Sequence, residues 1–261
     1  MSVQRKARLL HQGEVAAGRF PGGATQWLVD QRLGAVHVMS YRMTIDPGET
    51  ASHAHEGVEE ALYVVEGSGT VAVESTTHAV SPQRAVFIPA GAEHSYENTG
   101  ATPFVIVGAM APPIDAATIR SVMPSLDLSA SIRSSGIDES HVRPAMMDEQ
   151  RITPTLMGER SFRVLANPEV GCRQMTQFTG VIPTGRAPLH AHPHEEAVYI
   201  LEGQGRLWLD DEPAGELRPG SVVFFPIGVR HTLENTGQAD MKVLGAFSPA
   251  GSPEAKLKPP A

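Results

Sequence analysis

"LHAHPHEEAVYILEGQG", residues 189–205, sets three histidines and two adjacent glutamates ahead of an apolar run that ends at glycine. Such a string becomes a metal site only if the rest of the chain supplies the missing partners. The chain answers by repeating itself. "HAH" stands at 53–55 and again at 190–192, and "ENTG" at 97–100 and 234–237, both at an offset of 137 residues. Pro89, Gly91, His94 and Asn98 match Pro226, Gly228, His231 and Asn235 at the same offset. "EEALYVVEGSG" (59–69) matches "EEAVYILEGQG" (195–205) at 136, a slip of one residue placed just after the HxH. The chain therefore holds two copies of one module of about a hundred residues.

Each copy reads as β. "ALYVV", "TVAV", "RAVFIP" and "PFVIVGAM" in the first copy are short apolar or alternating runs, as are "AVYIL", "RLWL", "SVVFFP" and "MKVLGAF" in the second. They are split by Gly, Pro and Asn, and closely spaced strands with turn signals predict a sandwich or barrel. The expected organisation is an N-terminal barrel over 1–112, a linker over 113–157 and a C-terminal barrel over 158–261. "AATIRSVM" in the linker predicts a short helix, and residues 250–261 read as a loose tail.

Composition narrows the partners. The chain has 261 residues, 29 Asp plus Glu against 21 Lys plus Arg, and a net charge of -8. An acidic balance does not suit neutralising phosphates, so neither nucleic acid nor a membrane surface is expected as partner. The single cysteine, Cys172, excludes an intrachain disulfide and reads as a buried small residue. The first twenty residues lack the apolar core of a secretory signal, and no run of about 18 apolar residues suggests a membrane span. A cytoplasmic protein, with a homodimer as its assembly, is the expectation.

Alternate side chains of a strand share a face, so His53 and His55 point together, as do His190 and His192. A neighbouring strand can supply Glu60 or Glu196, and a third strand His94 or His231. Three imidazoles and a carboxylate suit Mn, Fe, Co, Ni, Cu or Zn and leave positions open for water, substrate or dioxygen. The third histidine follows the second by 39 residues in both copies, which argues against chance.

These residues also resemble the cupins, whose two motifs run G-x5-H-x-H-x3,4-E-x6-G and G-x5-P-x-G-x2-H-x3-N. The second copy matches with Gly185, His190, His192, Glu196 and Gly203, then with Gly220, Pro226, Gly228, His231 and Asn235. The first matches with Gly48, His53, His55, Glu60 and Gly67, then with Pro89, Gly91, His94 and Asn98. Both copies have four residues, not five, between the first glycine and the HxH, and Gln83 stands where the second motif has glycine. The resemblance implies an all-β bicupin: two tandem jelly-roll (double-stranded β-helix) barrels joined by a partly helical linker. It also selects Glu60 over Glu59 and Glu196 over Glu195, because six residues separate the family's carboxylate from the glycine. One divalent transition metal per barrel is implied, with Fe or Mn favoured.

Metal ligands alone do not name a reaction. Arg186 is a candidate for binding a substrate carboxylate, His194 for general acid–base work, and Tyr96 for proton donation inside the first barrel. The leading expectation, by resemblance to quercetinase-like bicupins, is a dioxygenase-type oxidoreductase acting on a small aromatic or dicarbonyl molecule. Its competitors are a non-oxidative bicupin (decarboxylase, aminohydrolase, isomerase or lyase) and a binding cupin without turnover. The second copy, with its complete second motif, is expected to be the more active.

Overall fold

The computed structural model describes residues 6–114 and 145–257. It is almost wholly β, with short 3-10 turns, and forms two jelly-roll barrels in tandem. The helix expected at "AATIRSVM" lies outside the described residues.

Each barrel faces a seven-stranded sheet against a four-stranded one. In the first barrel the large sheet is built around β4 (Met39–Ile45), β6 (Glu59–Glu66), β9 (Arg84–Ile88) and β11 (Phe104–Ala111). The small sheet runs β5 (Thr50–His53), β10 (His94–Glu97), β7 (Gly69–Val73), β8 (Thr76–Val80). The second barrel repeats this with β15 (Thr176–Ile182), β17 (Glu195–Glu202), β20 (Ser221–Phe225) and β22 (Met241–Ser248) in its large sheet. Its small sheet runs β16 (Gly185–Arg186), β21 (His231–Asn235), β18 (Gly205–Leu209), β19 (Glu212–Leu217).

The large sheets are buried on both faces, which is why their strands read as continuous apolar runs rather than alternating ones. Leu62 and Val64 pack inside the first barrel, while their neighbours Ala61 and Tyr63 pack toward the second. Tyr63, Val107, Leu165, Tyr199, Phe224 and Leu244 form one core shared by the two barrels. The barrels are thus joined face to face by an interior, not by a tether.

Two exchanges lock this joint. β1 (Arg8–His11) lies within the span the sequence assigns to the first barrel, yet it pairs with β20 as the edge strand of the second barrel. Reciprocally, β12 (Ala145–Asp148), within the expected linker, pairs with β9 of the first. Arg8 sits opposite Phe224 and Ala145 opposite Phe87, so the two strands occupy equivalent places at the offset of 137. Each exchanged strand also covers a sheet edge that would otherwise present unpaired backbone groups.

The second lock uses the glutamates beside the ligands. Glu59 accepts from the backbone N–H of Arg173 and Gln174, at 3.1 and 2.8 Å. Glu195 accepts from Val36 and His37, both at 2.8 Å. These are again matched pairs, and each carboxylate reaches from its own barrel into a loop of the other. In the "EE" doublet, the first glutamate joins the barrels and the second faces the barrel interior.

Gln83, the departure from the motif, has φ +71, close to the +85 of its counterpart Gly220. Side chains pay for that left-handed backbone. Here the Gln83 amide oxygen accepts from Gln150 at 2.7 Å, beside the exchanged strand β12, which offsets part of the cost.

Candidate metal centres

The HxH histidines converge by a route other than strand alternation. β5 ends at His53, and His55 lies beyond it; in the second copy only an isolated bridge joins His190 to His231. A bend does the work instead. Gly91 N–H donates to the His55 carbonyl at 2.9 Å, and Gly228 N–H to the His192 carbonyl at 3.0 Å. Both glycines have φ near +80, +77 and +80 respectively, which explains the motif's glycine ahead of the third histidine.

In the first barrel His53, His55, Glu60 and His94 present one ligand atom each, all within 4.8 Å of one another. His55 Nδ1 bonds the Val58 carbonyl at 3.0 Å and His94 Nδ1 the Ala92 carbonyl at 2.8 Å. Carbonyls only accept, so the proton sits on Nδ1 and the Nε2 lone pairs turn inward. His94 Nε2 lies 3.1 Å from His53 Nε2 and 3.3 Å from Glu60 Oε2, with His55 Nε2 2.9 Å from that oxygen. Nitrogen lone pairs set this close to each other and to a carboxylate call for a cation between them, so the donor set fits a divalent metal. Burial, then the neighbouring charge of His94, holds His53 well below the usual imidazole range. Burial alone would raise the Glu60 carboxyl, but the adjacent His55 and His94 rings hold it well below its ordinary value.

Glu60 has two further partners. The hydroxyls of Tyr41 and Tyr96 both donate to its Oε1, Tyr96 at 2.8 Å. Both tyrosines are fully buried. Tyr96, named by the sequence as a proton donor, therefore sits against the ligand carboxylate and fills the space beside it. Tyr41 was not singled out by the sequence. Its ring crosses β11 at Gly108, where an added Cβ would meet the ring at 2.3 Å, so glycine is required there.

The second barrel gathers His190, His192 and His231 within 4.8 Å. Each Nδ1 is again committed to a carbonyl: Pro188 at 3.0 Å, Ala255 at 2.8 Å and Val229 at 2.9 Å. Glu196 Oε2 stands 3.5 Å from His192 Nε2. The three histidines also fit a divalent metal, by the same inward lone pairs, while Glu196 groups with His192 and His194 and not with all three. Burial pushes His190 down to about 4 and His231 well below its ordinary value. Burial raises the Glu196 carboxyl, against the pull of His192 and Arg160.

The space filled by tyrosines in the first barrel is open in the second. Phe178 and Leu233 stand where Tyr41 and Tyr96 stand at the offset of 137, and neither carries a hydroxyl. Beside them lies a cavity of about 80 Å³ bounded by Glu196, His190, His192 and His231. It adjoins an outer cavity of about 410 Å³ that shares Met157, Arg160, Ile182, His190 and Lys256 with it. The described part of the tail read as loose, 250–257, instead docks here. The Ala255 carbonyl holds His192, and Leu257 N–H donates to the Ala191 carbonyl at 2.8 Å.

The other two sequence candidates are placed apart from the inner cavity. His194 stacks between His192, at 4.7 Å and 13°, and Phe247, at 3.9 Å and 17°. It shares a three-residue group with His192 and Glu196. A nitrogen lone pair lies in its ring plane, so two near-parallel stacked rings do not aim at one ion, and His194 braces His192. Its Nε2 is buried without a hydrogen-bond partner, and burial pushes it down to about 3. Arg186 lies over the Trp208 ring at 3.9 Å, facing Asp211 at 3.6 Å, on the wall of the outer cavity. Sequence reasoning missed Arg160, whose guanidinium lines both cavities; its counterpart in the first copy is Gly23.

A cupin domain family model matches residues 41–109 and 178–247, one match in each barrel. An uncharacterised protein, MJ1618, of Methanocaldococcus jannaschii is 34% identical over 96 residues, 35% of this chain and 75% of that one. The tetracenomycin polyketide synthase protein TcmJ of Streptomyces glaucescens is 29% identical over 108 residues, 41% of this chain and 72% of that one. Protein SchB of Streptomyces halstedii is 37% identical over 76 residues, and this chain spans 54% of its length. Among solved structures, a mutant of Bacillus subtilis oxalate decarboxylase OxdC superposes with a TM-score of 0.73 at 15% identity, over 93% of this chain and 77% of that one. Protein Ylba from E. coli gives 0.71 at 16%, over 95% and 93%. At these identities the structures establish the fold alone. No helix among the described residues is long and apolar enough to cross a membrane.

Proposed function

The chain belongs to the cupin domain family, and from that premise we propose a metal-dependent enzyme whose working centre is in the second barrel, with the first barrel's centre closed. The observation that carries this reading is the cavity beside Glu196, in the place that Tyr41 and Tyr96 fill beside Glu60. A small organic molecule fits such a space, apolar-walled with a few convergent polar groups.

The reaction we favour is of the dioxygenase type, with iron or manganese held by His190, His192, His231 and Glu196. Bound there, the metal supplies Lewis acidity and one-electron chemistry with dioxygen. The chain's own residues bind and orient. Phe178, Phe225, Val198 and Leu233 present apolar walls that exclude water and hold an organic substrate against the ligands. The Nδ1 bonds of the three histidines fix their rings, so the centre does not have to reorganise when substrate enters. Besides the candidate ligands, the ionisable side chains on the wall are Arg160 and Lys256.

A non-oxidative reaction at the same centre is the competing reading. Lys256, a proton donor on the cavity wall, favours it. The test is elemental analysis of the protein from its native host. Oxygen-electrode assays across phenols, flavonols and 1,3-diketones follow, with each metal reconstituted. Oxygen uptake lost on Glu196→Gln supports the dioxygenase reading, and no uptake with any metal ends it. Carbon dioxide or ammonia released without oxygen transfers the centre to the competing reading, and tight ligand binding without turnover makes it a binding cupin. A cytoplasmic homodimer belongs to the same proposal, checked by cell fractionation and light scattering.

A further inference from the structure

Arg160 opens the strand β14 (Arg160–Ala166), thirty residues before the HxH, and its guanidinium reaches the wall of the second centre. One Nη donates to the Leu233 carbonyl at 2.8 Å, which fixes the group at the cavity mouth. Among the described residues it makes no ion pair within 4.0 Å, and the Glu196 carboxylate acts on it only through space. A partly buried cation without a counter-ion is costly. Burial brings Arg160 down to about 10, so the guanidinium stays charged at neutral pH.

Lys256, brought there by the docked tail, lines the same two cavities. Its charge is felt at His190, as is that of Arg160. Glu159 is the one carboxylate among the residues lining the outer cavity, and it is exposed. A divalent ion, three neutral imidazoles and one carboxylate leave the centre with one net positive charge, and Arg160 and Lys256 add two more. The first barrel differs at the arginine. Gly23 stands in place of Arg160, and even a Cβ there would meet the Thr44 carbonyl at 2.2 Å.

We propose that Arg160 and Lys256 form an anion-holding subsite at the second centre, and that the molecule bound there carries a carboxylate. The proposal rests on the second barrel being the working centre. Arg160 offers a planar fork that matches two carboxylate oxygens. The apolar inner wall takes the rest of the molecule, with its reactive part toward His190, His192 and His231. A phosphoryl group, with three strong acceptor oxygens, would call for more donors than one guanidinium edge and one ammonium provide.

The test is titration calorimetry on the full chain, metal-loaded and metal-free, with benzoate, benzamide and phenylphosphonate as probes. Metal content is measured on the same samples. The wild-type protein is expected to bind benzoate at least tenfold more tightly than benzamide. Arg160→Gln is expected to abolish that preference with metal content unchanged, Arg160→Lys to restore part of it, and Lys256→Met to weaken benzoate about threefold. If Arg160→Gln does not fold, the wild-type preference and the Arg160→Lys variant decide. Equal affinity for benzoate and benzamide, or a preference that survives loss of the guanidinium, overturns the subsite. Tighter binding of phenylphosphonate overturns the carboxylate. An Arg160-dependent preference in protein that takes up no metal at the second centre leaves the subsite standing and removes the metal reading; metal without the preference does the reverse.

Discussion

In the first barrel the ligand carboxylate, Glu60, is surrounded by two tyrosine hydroxyls and two imidazoles. In the second, Glu196 faces His192, the field of Arg160, and a cavity. The motifs are the same, so what separates the centres is what stands beside the ligands. Among the positions that differ are Tyr41 against Phe178, Tyr96 against Leu233, Met43 against Gly180, and Gly23 against Arg160. Hydroxyls complete the carboxylate's hydrogen bonds in one centre. In the other, a cavity with a cation on its wall lies beside the carboxylate.

The comparison breaks most readily at the carboxylates. Glu196→Gln is expected to lower turnover on the order of 100-fold, the scale of weakened metal sites, with little change in melting temperature. Glu60→Gln is expected to do the opposite. It disturbs four buried partners at once and costs about 3 kcal/mol in urea unfolding, while the specific activity of the folded fraction persists. Equal loss of activity from both would show that the centres are not divided in this way.

Glu59→Ala and Glu195→Ala probe where the barrels are alike. Each strands two backbone N–H groups in the opposite barrel, so each is expected to destabilise by about 2 kcal/mol. The two values should agree closely, and a large gap between them would mean that the joint is not symmetric. The smallest effect is at Gln83→Gly. Relief of the left-handed backbone is worth about 1 kcal/mol, and loss of the Gln150 bond offsets part of it. The net gain by chemical denaturation is expected to stay within about 0.5 kcal/mol.

The ligands were legible because they repeat with fixed spacing, and spacing is what a metal site imposes on a strand fold. The resemblance also set Glu195 aside as a ligand. It did not say what Glu195 meets, because the partner loop at Val36 and His37 is distant in sequence. The exchanged strands were harder still. "RLLHQGE" (8–14) and "AMMDEQR" (145–151) share no residue at matched positions, since an edge strand needs only backbone pairing and a general apolar character. Arg160 left one trace that could have been followed. The first copy carries glycine at the matched position, and a charge facing a glycine across a repeat marks where two copies have parted in use.

The exchange of β1 and β12 bears on how the chain can be divided. A cut between the copies does not yield two self-sufficient halves. The N-terminal half would keep a strand shaped for its neighbour and lose the strand that covers its own β9. Its simplest remedy is a second copy of itself, each lending β1 to the other, because β1 and β12 occupy equivalent places. The single chain is in this sense a strand-swapped dimer made permanent by a peptide connection. That permanence lets the two halves differ beside their matched glutamates without either having to find its partner again.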